Sequence, residues 1–127
     1  MDIEILGYSG PVLRMAFVGR IVRDNSMPLT EAFESALGPA GYRQPVVVSF
    51  ERTFFIDSSG LSFLIQCHKR FTQAGGKLVM HSLTPSVLTL FETMGLHQVF
   101  LLAENEPLAL QMALADNLSH HPANSGG

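Results

Sequence analysis

From Pro45 onward the chain alternates strand-like and helix-like segments, and this alternation limits the possible folds more than any other feature. Residues 45–56 (PVVVSFERTFFI) are β-branched and aromatic, with the near-continuous apolar opening of a strand covered on both faces. After Asp57-Ser58-Ser59-Gly60, the residues Leu61, Leu64, Ile65, His68 and Phe71 recur on one helical face until Ala74-Gly75-Gly76 stops the pattern. Residues 77–82 (KLVMHS) read as the next strand. Pro85 opens a helix with Val87, Leu88, Phe91 and Met94 turned inward and Gly95 as its stop; 99–103 is a last strand and 106–115 a closing helix. Strands joined through helices of about ten residues imply right-handed crossovers and a largely parallel sheet.

The first third differs. Ile3 and Ile5, then Val12 to Val18, form two short apolar segments around Gly7-Tyr8-Ser9-Gly10-Pro11, the pattern of a β-hairpin. Asn25-Ser26 before Pro28 resembles a helix start, and Leu29, Ala32, Phe33, Ala36 and Leu37 carry the helical spacing up to Gly38-Pro39. The expected class is therefore α/β, a single domain over 1–117 with a mixed, mostly parallel sheet, about four helices and an N-terminal hairpin. Residues 118–127, small and polar, are expected to be a disordered tail.

Composition narrows the functional classes. Of the 127 residues, 46% are hydrophobic and 15% charged, ample apolar material to offset the ordering entropy of folding. Eight Lys and Arg against eleven Asp and Glu leave a net charge of −3, which provides no electrostatic footprint for nucleic acid. Cys67 is the single cysteine, so no internal disulfide can form and a reducing compartment fits. Acids stand at Asp2 and Glu4, where a signal peptide would carry bases, so no export signal is expected. No apolar run approaches the roughly 20 residues that span a bilayer, so no membrane insertion and a cytoplasmic location are expected.

Catalytic motifs are missing: there is no G-x-S-x-G, H-E-x-x-H or C-x-x-C. Gly75-Gly76-Lys77 is not a phosphate loop, because Phe71 stands where its first glycine should and Leu78 where Ser or Thr should hold Mg²⁺; it reads as a helix C-cap. His68, His81, His97, His120 and His121 are scattered without metal-ligand spacing, and Cys67 reads as a small core residue. No enzyme activity of its own, no cofactor and no metal are expected.

Asp57, Ser58 and Ser59 sit where the central strand feeds a helix. One side-chain oxygen suffices to cap the free N–H groups of a helix start, and three polar residues in a row exceed that need. A hydroxyl in the first turn can carry a phosphate comfortably against the partial positive charge there. Such a phosphate would place about −1.5 to −2 charge on the carboxyl edge of the sheet, where α/β proteins present their binding surfaces.

Residues 46–60 (VVVSFERTFFIDSSG), the helix running to Ala74-Gly75-Gly76-Lys77-Leu78, then Thr84-Pro85-Ser86-Val87 and Leu90-Phe91-Glu92-Thr93-Met94-Gly95-Leu96 together resemble a STAS domain of the anti-sigma-factor antagonist type. The resemblance covers almost the whole chain. It implies partner switching: the unphosphorylated protein binds an anti-sigma factor that is also a serine kinase of the histidine-kinase-like ATPase fold, phosphorylation of Ser59 releases it, and a PP2C-type phosphatase resets the cycle. Asp57 would then orient the turn or the kinase encounter, Ser58 would cap or bond nearby, and Gly60 would allow close approach. Two departures stand out. Members of this type commonly carry Asp where this chain has Ser49. The loop after the second strand usually reads Gly-x-Leu/Ile-Asp, whereas Gly19-Arg20-Ile21 is followed here by Val22, with Asp24 in apparent extra length as the candidate substitute acid. These departures motivate an alternative: a STAS scaffold that is not phosphorylated, or an accessory subunit of small-ligand or lipid transport.

Overall fold

The structure, a computed structural model, describes residues 2–22 and 29–115. Five strands form one sheet in chain order: β1 (Asp2–Ser9), β2 (Val12–Ile21), β3 (Pro45–Ile56), β4 (Lys77–His81) and β5 (Leu101–Ala103). β1 is antiparallel to β2, and every other pairing is parallel. Among the described residues four helices follow the expected order: α1 (Leu29–Leu37), α2 (Ser58–Ala74), α3 (Pro85–Thr93) and α4 (Glu106–Leu114). The expected class and hairpin are those observed.

A parallel sheet that advances one strand at a time through right-handed crossovers sends each connecting helix to the same face. The burial agrees. Phe33 and Leu37 of α1, Phe63, Leu64, Cys67 and Phe71 of α2, and Val87 and Phe91 of α3 join one core with Leu13, Met15, Phe17, Val46, Val48, Phe50, Leu78 and Met80. Phe17, Phe33, Phe50 and Phe63 meet there with ring centroids 5.5 to 6.3 Å apart, several edge to face. α4 lies on the opposite face, where Ala109 and Ala113 approach the row Val12, Val47 and Val79 closely because they are small. Val46, Val47 and Val48 are therefore fully buried, which is why β3 opens as an unbroken apolar run. Lys77 donates from Nζ to the carbonyls of Met112 and Ala115, tying the end of α4 to the start of β4.

Several details differ from the sequence reading. β1 runs through Gly7, Tyr8 and Ser9, with a register shift between Ile5 and Gly7, so only Gly10-Pro11 make the turn. In α2 the buried face is Gly60, Phe63, Leu64, Cys67 and Phe71, while Leu61, Ile65 and His68 are half-buried at its margin. Leu88 is 38% and Met94 57% exposed. Val87 and Phe91, one turn apart, take the inward face of α3, and Met94 falls on the cap after the helix. Ser82 has φ +60 and ends β4 one residue early. A 3-10 turn at Leu96–Gln98 delays β5 to Leu101. The expected tail 118–127, the helix start at Asn25-Ser26 and Asp24 lie outside the described residues. No helix among the described residues is long and apolar enough to cross a membrane.

Cys67 is buried, which pushes its thiol up to about 12 and leaves it protonated at neutral pH. Gly75, at φ +87, ends α2 in the left-handed conformation that glycine adopts without strain, its N–H donating to the Phe71 carbonyl. A Cβ on Gly76 would collide with the carbonyls of Tyr42 and Gln44. Gly75-Gly76 thus serves helix termination and packing.

Candidate functional site

The carboxyl ends of the parallel strands share one edge of the sheet, and α2, α3 and α4 begin there. At its centre β3 passes into α2. The Asp57 N–H donates to the Ile21 carbonyl at 3.2 Å, extending the β2–β3 ladder by one step before the chain turns. Asp57 is extended (φ −93, ψ −175), and its Oδ1 accepts from the Gly60 N–H at 2.8 Å: it is the N-cap. A second cap is built beside it, where Thr84 Oγ1 accepts from the Val87 N–H and donates to the Thr53 carbonyl, tying the start of α3 to β3.

Because Asp57 does the capping, Ser58 and Ser59 are not needed for it. Both are exposed, and among the described residues neither hydroxyl is engaged in a side-chain hydrogen bond. Ser58 is therefore not the cap. Gly60 points inward and is buried, and a Cβ there would collide with the Ile21 carbonyl and press on the side chains of Ile56 and Ile21. The missing side chain makes room for the end of β2 within the domain, which is a different use from the expected close approach of a partner. The turn thus offers solvent two free hydroxyls on a rigid first turn, held between a cap and a close-packed glycine.

Ser49 is not part of this turn. It lies on β3 opposite Ala16 and His81, on the same face as Val47 and therefore on the α4 side, and its hydroxyl accepts from the Glu51 N–H at 3.3 Å. His81, next to it, is 3% exposed; its Nδ1 pairs with Ser82 Oγ at 2.8 Å, and its Nε2 has no partner among the described residues. Burial lowers its pKa below 6.5, the charge of Arg14 acts in the same direction, and Glu106 and Glu51 oppose it. Arg14 and Glu106 form a two-pronged ion pair at 3.1 and 3.2 Å between β2 and the first residue of α4. Spacing alone flagged neither His81 nor this pair; the only sequence signal was a histidine directly after the apolar run Leu78-Val79-Met80.

Two predictions arise here. Asp57→Ala removes the cap of α2 and is expected to cost about 1 kcal/mol, a fall in Tm of about 4 °C by calorimetry. For His81 the folded pKa lies below the unfolded one, so the unfolded chain binds more protons as pH drops below 6.5. Stability is full above 6.5 and lost as pH falls through the folded pKa. Between pH 7.5 and 5.5 the wild type should lose more Tm than His81→Gln, and equal slopes would remove the assignment.

The wider surface of this edge was not anticipated. Register shifts in the β2–β3 pairing between Ala16 and Val18 and between Gly19 and Arg20 leave β3 with extra residues. Phe54 falls in the second shift, Phe55 pairs with Arg20, and both rings emerge into solvent just before the Asp57 turn. Among the described residues no group of three His, Cys, Asp or Glu is placed to hold a metal ion.

A family model described as "Mlab, STAS domain" matches residues 8–104. The anti-sigma F factor antagonist of Paenibacillus polymyxa is 32% identical over 65 residues, which is 51% of this chain and 56% of the relative, so the match spans about half the length of that curated relative. Among solved structures, an anti-sigma-factor antagonist (STAS) domain protein from Planctomyces limnophilus superposes with a TM-score of 0.73 at 19% identity, covering 91% of this chain and all of its own. The anti-sigma factor antagonist SpoIIAA in its unphosphorylated form gives 0.60 at 13% identity, covering 87% of this chain and 96% of its own. At these identities the structural likeness speaks for the fold.

Proposed function

The chain belongs to the STAS domain family, and from that premise we propose that it is an anti-sigma-factor antagonist switched by phosphorylation of Ser59. The observation that carries this reading is the Asp-Ser-Ser-Gly turn: Asp57 caps α2, and Ser59 is left exposed and unengaged on its first turn. In the unphosphorylated state the protein binds an anti-sigma factor that is also a serine kinase of the histidine-kinase-like ATPase fold. The kinase transfers the γ-phosphoryl group of ATP to Ser59 Oγ; the hydroxyl proton is lost, the bond to ADP breaks, and ADP leaves. A PP2C-type phosphatase hydrolyses the phosphoserine back to serine and inorganic phosphate. Ser59 is a substrate residue in this cycle and the chain performs no catalysis itself. The helix N-terminus tolerates the phosphate, so the modification changes the surface and leaves the fold in place. At a contact surface, a desolvated or like-charged phosphate costs enough to exchange one partner for another.

Native purification of the chain from its own cells, with Ser59→Ala to hold the unphosphorylated state, tests the proposal. An ATPase-fold serine kinase should co-purify with Ser59→Ala and not with Ser59→Asp. The second reading, an unphosphorylated scaffold or accessory subunit of lipid transport, is favoured by Ser49, which supplies no negative charge where the antagonist type commonly has Asp. It predicts transporter subunits and no kinase in the same preparation.

A further inference from the structure

We propose that Phe54, Phe55 and Arg20 form the platform on which the kinase partner docks, and that the partner segment seated there carries a carboxylate flanked by apolar side chains. This rests on the phosphorylation-switch reading and names the surface and partner chemistry that the switch acts on. Of the nine phenylalanines, only these two are exposed, Phe54 by 66% and Phe55 by 46%; the other seven are buried. Their exposure is built into the backbone. Thr53 pairs with Gly19 and Phe55 with Arg20, so Phe54 is the unpaired extra residue of a bulge, and Ile56 beyond it returns to the core. Adjacent exposed aromatics ahead of a candidate modification turn are the kind of anchor that dominates protein interfaces.

The charge fixes the kind of partner. The Arg20 guanidinium carbon lies 5.0 Å from the centroid of the Phe55 ring, and among the described residues Arg20 makes no ion pair. Arg52, on the neighbouring strand β3, differs: it is neutralised by Glu4 at 2.6 Å. A guanidinium stacked on an aromatic, with no ion pair among the described residues, offers a carboxylate a fork of donors beside an apolar floor. The sign of the switch agrees. A phosphate on Ser59, four residues after Phe55 in the chain, would add negative charge at this end of the sheet and disfavour an acidic partner, whereas a basic partner would be held more tightly.

The test replaces Phe54 in the full chain by photoreactive benzoylphenylalanine, with Leu114 at the far end of α4 as a control position, and cross-links in the native cells. Peptide mass spectrometry should find position 54 joined to an ATPase-fold kinase through a segment bearing Asp or Glu among apolar residues. The yield should drop at least tenfold in Arg20→Glu and in Ser59→Asp, while circular dichroism stays unchanged. Position 114 should not react. Kinase that co-purifies with the parent chain but is not cross-linked from position 54, cross-links to a basic segment or to a second copy, or yields unaffected by Arg20→Glu overturn the platform and leave the switch standing. If the parent chain recovers no kinase at all, the switch fails and the platform falls with it.

Discussion

Ser59→Asp is expected to weaken binding of the kinase at least a hundredfold, about 2.7 kcal/mol, while the melting temperature stays level or rises slightly. The two halves of this result have separate causes. Ser59 is exposed and its hydroxyl makes no side-chain hydrogen bond among the described residues, so no such contact is lost on substitution. An acid in the first turn of α2 interacts favourably with the helix N-terminus, by about 0.3–1 kcal/mol. At an interface the same carboxylate must be desolvated against a partner shaped for a neutral hydroxyl, and an unpaired charge of that kind costs roughly 2–5 kcal/mol. Titration calorimetry paired with a melting curve separates loss of contact from loss of fold. Tight binding by a stable Ser59→Asp chain would contradict the switch.

Gly60→Val should have the largest effect on stability, about 3 kcal/mol or more and a fall in Tm on the order of 10 °C. Gly60 is helical, and its φ is within the range any residue adopts, so the cost is one of space. A Cβ there would collide with the Ile21 carbonyl, which also accepts the Asp57 N–H, and would press on the γ2 methyl groups of Ile56 and Ile21. To relieve the overlap, α2 has to move away from the end of β2, which also strains the bond from the Gly60 N–H to Asp57 and forfeits part of a cap worth about 1 kcal/mol. Ser58→Ala, two residues away on an exposed side chain, should stay within about 0.5 kcal/mol. A Gly60→Val chain that melts within 2 °C of the wild type would show that α2 is not seated on β2 as described.

The order of elements was legible because each boundary carried its own chemistry: Gly38-Pro39 after α1, Asp57 before α2, Gly75 after it, and Pro85 and Pro107 at the first turns of α3 and α4. Inward faces were less legible. Leu88 and Met94 are as apolar as Val87 and Phe91, and only the docking angle of α3 and its end at Thr93 decide which of them meet the sheet. At the turn, the surplus of polar residues was visible in sequence, but the division of labour among them was not. Asp57 is the cap because the extended backbone at that position aims Oδ1 at the Gly60 N–H, and Gly60 is demanded by a carbonyl contributed from β2, distant in sequence. The exposure of Phe54 and Phe55 was hidden for the same reason. The end of β3, Phe54-Phe55-Ile56, reads as one apolar run, and the bulge that turns the two rings outward depends on pairing with β2. Ser49 stood out in sequence only as a departure from the Asp common in the antagonist type; alternation along β3 assigns it to the α4 face beside His81.

The central claim is that Ser59 is the residue the cell modifies. Phosphopeptide mass spectrometry on the chain purified from its own cells, before and after phosphatase treatment, tests it most directly. The prediction is a single phosphate on the peptide spanning the Asp57 turn, localised to Ser59 and not Ser58, and lost on treatment. A phosphate on Ser58 alone, or none on either serine across growth and stress conditions, would contradict it.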